Sequence, residues 1–139
     1  MQMVVDLEKP LLVDSSIYID LLRAGLDVGL RLRTRIDAGL AYTCGIIRVE
    51  VLRGIIDRRI RDWMDRLFDE MIDCPIDDAL VRSAADLAWR LDRRGTVLPI
   101  PDVLIASCGL RAGAAVVTTD PHFRLVPDLQ VVAGIASDA

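Results

Sequence analysis

Leu11-Leu12-Val13-Asp14-Ser15-Ser16 sets the tightest limit on what this chain can become, because an uninterrupted apolar run is closed by a carboxylate and two hydroxyls. A run this short, apolar at every position and preceded by Pro10, suits a strand covered on both faces, as in a parallel sheet with helices on either side. Asp14 then stands at the strand's carboxyl end, where ligands of open α/β sheets bind. Ala114-Ala115-Val116-Val117-Thr118-Thr119-Asp120 repeats the pattern, which makes Asp120 the counterpart of Asp14.

Strand and helix signals alternate between these two runs with no linker, repeat or low-complexity tract, so the expectation is one α/β domain over residues 1–139. Helical spacing covers 17–23 and roughly 26–38, although Leu30-Arg31-Leu32-Arg33 also alternates as a strand would. A second strand is expected at 40–44. The long helical periodicity of 46–71 is divided at Gly54 or at Asp57-Arg58-Arg59. A short third strand falls at 72–76, and Asp77 or Asp78 then caps a helix with Leu80, Ala84, Leu87, Ala88 and Leu91 on one face and Gly95 past its end. Pro101 suits the first turn of a helix that is apolar nearly all round from 103 to 111 and ends at Gly113. The last strand, at 129–132, precedes a small polar tail.

With 139 residues and 53% apolar content, one real core is affordable and two would be crowded. A formal charge of -4, from 17 basic and 21 acidic residues, gives no general attraction for nucleic acid, so an anionic partner must be met locally. Every basic residue except Lys9 is Arg, the better fork for phosphate, though genomic composition explains that bias equally well. Cys44, Cys74 and Cys108 are widely spaced in apolar surroundings and read as buried free thiols of a reducing compartment, without zinc spacing. Asp6, Glu8 and Lys9 stand before any apolar run of signal length and no window resembles a membrane span, so a soluble cytoplasmic protein is expected.

In a parallel sheet, the helix after a strand and the helix leading back into the next one place charged first-turn residues at the same carboxyl edge. Asp14 and Asp120 lie at strand tips, Asp102 in the first turn of a helix starting at that edge, and Glu50 one turn into the helix after the second strand. Four carboxylates therefore converge on one cleft. Two unit charges ~5 Å apart repel by roughly 3 kcal/mol at an effective dielectric of about 20, so a cation is required. Oxygen-only ligands favour Mg²⁺ or Mn²⁺ over zinc, and the chemistry implied is phosphodiester hydrolysis.

Taken singly, each acid has a plainer explanation. Asp102 could serve a helix dipole, Asp14 an Asx turn, and Asp120 the turn before Pro121. Glu50 is the hardest to explain away, since it is one of three Glu and sits among Val49, Val51 and Leu52. Ser15 or Ser16 and Thr118 either hold these carboxylates or cap strand ends. His122, the only histidine, excludes a paired-His mechanism and reads as a surface turn residue in preference to a phosphate contact. Arg48, Arg53, Arg58, Arg59 and Arg61 offer guanidinium groups near the cleft helix or merely a solvated face. Trp63 and Trp89 read as packing or interface residues.

Four pieces in order carry a resemblance over nearly the whole chain: Val13-Asp14-Ser15-Ser16, Arg48-Val49-Glu50-Val51-Leu52-Arg53-Gly54, Leu98-Pro99-Ile100-Pro101-Asp102-Val103-Leu104-Ile105-Ala106 and Val117-Thr118-Thr119-Asp120-Pro121-His122-Phe123. The sequence resembles PIN-domain ribonucleases, most closely the VapC-type toxins of type II toxin-antitoxin pairs. The resemblance implies a three-layer α/β/α sandwich with a mostly parallel central sheet, Mg²⁺- or Mn²⁺-dependent cleavage of RNA, a homodimer, and inhibition by a small cognate VapB-like antitoxin. It also implies that Asp14 and Asp102 are the principal metal ligands, completed by Glu50 and Asp120 directly or through water. A receiver-like domain would need a late Lys, and a nucleotide-binding module would need a phosphate-cradling glycine loop; both are missing. A catalytically silent PIN-fold module that binds RNA or protein stays as the alternative.

Overall fold

The computed structural model describes residues 9–135; the charges at Asp6 and Glu8 and the 136–139 tail lie outside the described residues. Leu11–Val13 forms β1, buried at all three positions, with a parallel neighbour on each side. One neighbour is β2 (Ala41–Thr43), registered through Leu11 with Ala41 and Leu12 with Tyr42. The other is β4 (Ala115–Val117), registered through Leu11 with Ala115 and Val13 with Val117. With β3 (Ile72–Asp73) outside β2 and β5 (Val131–Val132) outside β4, the sheet order is β3-β2-β1-β4-β5 and every pairing is parallel. The chain lays strands outward from β1 in one direction and then returns to build the other side. β1 and β4 therefore flank the switch point, the place where open α/β sheets leave a crevice.

Helices supply the parallel crossovers. α1 (Ser15–Arg23) and α2 (Val28–Asp37) join β1 to β2, and Asp27 caps α2 by accepting from the Leu30 amide at 3.1 Å. The 46–71 periodicity resolves into α3 (Gly45–Arg53) and α4 (Arg58–Asp69). Both suggested dividers act: Gly54 ends α3, and Asp57 caps α4 through the Arg59 and Ile60 amides. α5 (Asp78–Arg93) takes its cap from Asp77, which accepts from the Leu80 amide at 2.9 Å. α6 (Ile100–Ala112) carries Pro101 in its first turn and stops at Gly113, whose φ of +63° is the left-handed conformation that glycine adopts without steric cost.

The third strand is shorter than its sequence signal. Pairing stops at Asp73, with the Cys74 amide making a last bond to the Thr43 carbonyl at 2.7 Å, because β2 itself gives way to α3 at Gly45 and offers the third strand nothing further to pair with. All three thiols are buried and unpaired, as expected. Arg111, near the end of α6, donates to the Pro75 carbonyl and to Asp77 at 2.8 Å, which fixes α6 against the loop leading into α5.

α6 is buried along Val103, Ile105, Ala106, Ser107, Cys108 and Gly109. Its approach to the sheet depends on Gly109, where an added Cβ would come within 2.9 Å of Val116 Cγ2 and 3.2 Å of Leu129 Cδ1. Across α3 and α4, Arg48 pairs with Asp65 at 2.7 Å and Asp69 at 2.6 Å while its guanidinium lies 5.7 Å above the Phe68 ring. Phe68 in turn meets Tyr18 edge to face, with centroids 5.3 Å apart. Gly109→Val should lower stability by about 2 kcal/mol in urea unfolding through overpacking. Gly45→Ala, with nothing within 4 Å of the new methyl, should cost almost nothing in the same measurement.

Candidate metal centre

Asp14 follows β1 directly, and its amide donates to the Val117 carbonyl at 2.9 Å, so the β1–β4 ladder sets its position. It occupies the N-cap of α1, yet its side chain caps nothing. Instead Oδ2 accepts from Thr118 Oγ1 at 2.8 Å and from Ser16 Oγ at 3.0 Å, in a setting that leaves Asp14 only 5% exposed. Oδ1 accepts no hydrogen bond among the described residues. Thr118, itself 2% exposed at the end of β4, also accepts from the Asp120 amide at 3.0 Å. One hydroxyl thus ties the two strand tips together.

Asp120 is held by the turn it starts. Its Oδ1 caps the 3₁₀ turn Pro121–Leu125, accepting from the His122 amide at 2.9 Å, and His122 Nδ1 lies at the same distance from that oxygen. Asp102 enters from the first turn of α6 and Glu50 from α3.

Their proton affinities record how close the acids stand. Asp102 holds its proton more tightly than an ordinary aspartate because of burial first, then the charges of Asp120 and Asp14, with His122 opposing. Glu50 is raised by burial, then by Asp14 and Asp102, with the Ser15 hydroxyl and Arg53 pulling the other way. Mutual repulsion therefore links all four predicted carboxylates across one crevice. A ring nitrogen of His122 and one oxygen each from Asp102 and Asp120 all fall within 4.8 Å of one another. This donor set, hard oxygens with a single imidazole and no thiol, fits Mg²⁺ or Mn²⁺.

Two readings of the sequence gain detail here. His122 is the exposed turn residue the sequence suggests, and a ring nitrogen also joins the cluster. The signal was Asp120-Pro121-His122, since an aspartate that caps its own turn brings the residue two positions on back over its carboxylate. The arginines mostly serve the scaffold: Arg48 binds α4, and Arg58 and Arg61 approach Asp62. Arg53 is the one whose charge reaches Glu50.

The PIN-domain sequence pattern matches residues 11–129, and the chain belongs to the PIN-domain family. Its curated relatives include VapC ribonuclease Mb1587 of Mycobacterium bovis and ribonuclease VapC11 of Mycobacterium tuberculosis. Each is 31% identical over 121 residues, covering 84% of this chain and 90% of the relative. Among solved structures, VapBC2 from Rickettsia felis bound to a promoter DNA fragment matches with a TM-score of 0.73, 16% identity, and coverage of 88% of this chain and 96% of that one. DNA-bound VapBC from Salmonella typhimurium matches at 0.74 and 16%, covering 89% and 97%.

Because the folded protein binds protons at Asp102 and Glu50 more tightly than the unfolded chain does, metal-free stability should fall as pH rises through their raised pKa values and recover below the ordinary carboxylate range. Asp102→Asn should accordingly raise the melting temperature in EDTA at pH 7. That gain should shrink toward zero as pH is lowered to about 4 in the same thermal scan.

Proposed function

We propose that this chain is a divalent-metal-dependent endoribonuclease that hydrolyses RNA phosphodiester bonds as the toxin of a toxin-antitoxin pair. What supports this reading most is that Asp14, Glu50, Asp102 and Asp120, carried by four separate elements, feel one another's charge beside the switch-point crevice. Further support comes from curated relatives named as ribonucleases and from solved neighbours that are VapBC complexes.

Asp14 and Asp102 would hold a Mg²⁺ or Mn²⁺ ion, with Glu50 and Asp120 completing the set directly or through water. Such an ion, when bound, offsets the charge developing on a phosphate and makes water easier to deprotonate. The chain's own part is to keep the donors in place. Thr118 and Ser16 occupy Asp14 Oδ2 and leave Oδ1 turned to other use. Arg53 supplies positive charge beside this acidic edge, where an RNA phosphate must be met locally because the chain as a whole is acidic.

The same reading makes residues 1–139 a single PIN domain that works in the cytoplasm as a homodimer and is silenced by a small VapB-like antitoxin. Among the described residues no helix is long and apolar enough to cross a membrane.

Purified full-length chain should cut structured RNA with added Mn²⁺ or Mg²⁺ and fall silent in EDTA. Asp14→Asn and Asp102→Asn should each slow cleavage by at least about 100-fold. The same ions at millimolar concentration should raise the melting temperature of the wild type but not of Asp14→Asn. Cleavage by both variants at the wild-type rate would remove the nuclease assignment.

A further inference from the structure

We propose that His122 is itself a metal ligand, and that with Asp102 and Asp120 it builds a mixed nitrogen-oxygen site that prefers Mn²⁺ to Mg²⁺. The inference rests on the divalent-cation reading above and deepens it by naming a nitrogen donor and the ion class that donor selects.

The geometry comes from two anchored segments. Phe123 is fully buried and pins the Pro121–Leu125 turn, while the Asp120 cap fixes the His122 backbone. The imidazole, half of it still in solvent, is consequently held at the rim of the acidic cluster, with Nδ1 2.9 Å from Asp120 Oδ1. Asp102 faces this pair from the first turn of α6, and the three donors lie within 4.8 Å of one another. An octahedral ion with bonds of about 2.1 Å spaces adjacent donors roughly 3 Å apart and opposite donors roughly 4.2 Å apart. The His122–Asp120 separation already has the length of one edge of such an octahedron, and Asp102 needs only a small inward movement to join it.

A nitrogen donor changes which ion the site favours. Carboxylates alone suit Mg²⁺ and Mn²⁺ alike, whereas a neutral imidazole gives its lone pair more readily to first-row transition ions than to Mg²⁺. His122 would therefore add affinity for Mn²⁺, and for ions later in the series, without a matching gain for Mg²⁺. The competing role is positioning, in which His122 only donates from Nδ1 to Asp120 and orients that carboxylate. That arrangement would help every cation about equally.

The two roles separate by spectroscopy, because the chain has one histidine and imidazole ¹⁴N coupling to bound Mn²⁺ has only one possible source within it. Full-length protein without an affinity tag is loaded with one equivalent of Mn²⁺ and studied by electron spin-echo envelope modulation. Mn²⁺ and Mg²⁺ dissociation constants are then measured by titration and competition for wild type, His122→Ala and His122→Gln. The expected result is ¹⁴N modulation in wild type that is lost in both variants. Mn²⁺ binding should weaken by at least about tenfold, while Mg²⁺ binding changes by less than about threefold.

Mn²⁺ bound to wild type without ¹⁴N modulation overturns the proposal and leaves the four-carboxylate site standing. Equal weakening of both ions in the variants likewise overturns it and makes His122 a positioning residue. Failure of wild type to bind either ion would remove the metal centre itself, and this proposal with it.

Discussion

The short hydrogen bond from Thr118 Oγ1 to Asp14 Oδ2 joins the ends of β1 and β4, and the rest of the acidic edge is built around that join. The same hydroxyl accepts from the Asp120 amide, so a neutral group stands between two carboxylates that would otherwise only repel each other. Its position follows from strand register: Val13 lies beside Val117, which makes Asp14 and Thr118 neighbours one step further along. A slip of one residue in this pairing would turn the threonine to the opposite face and leave Asp14 without its strongest partner.

The acids remain in tension despite this. Burial and mutual charge raise the proton affinity of both Asp102 and Glu50, so the metal-free fold carries a cost that its own hydrogen bonds do not remove. Functional sites concentrate such cost because the same charges that strain the free protein are the ones that bind a ligand. The scaffold compensates with a central pair of strands, β1 and β4, that is apolar and buried at every position, and with α6 packed tightly over Gly109.

Much of this was legible in the sequence, for reasons tied to particular residues. Leu11-Leu12-Val13 announced a doubly covered strand, and Asp57, Asp77, Pro101 and Gly113 placed helix ends, because caps and breakers act locally. Strand length was less legible. The stop after Asp73 is set by where the neighbouring β2 turns into α3, and sequence alone does not name that neighbour. Arg48 was also opaque, since its partners Asp65 and Asp69 lie on the following helix and only the α3–α4 packing brings them into reach. His122 was undervalued because an exposed histidine after a proline looks the same in a string whether or not its turn curls back over an acid.

The reversal of strand order also governs when during synthesis this edge exists. β1 and α3 are made early and bring Asp14 and Glu50, but Asp102 and the entire β4 side come from the final third of the chain. The bond from Thr118 to Asp14 spans 104 residues. A ribosome must therefore have released nearly the whole domain before the central ladder can close. Nascent or prematurely terminated chains hold half of the acids and none of the architecture that unites them, so a latent period before the edge is assembled is built into the order in which the polypeptide is made.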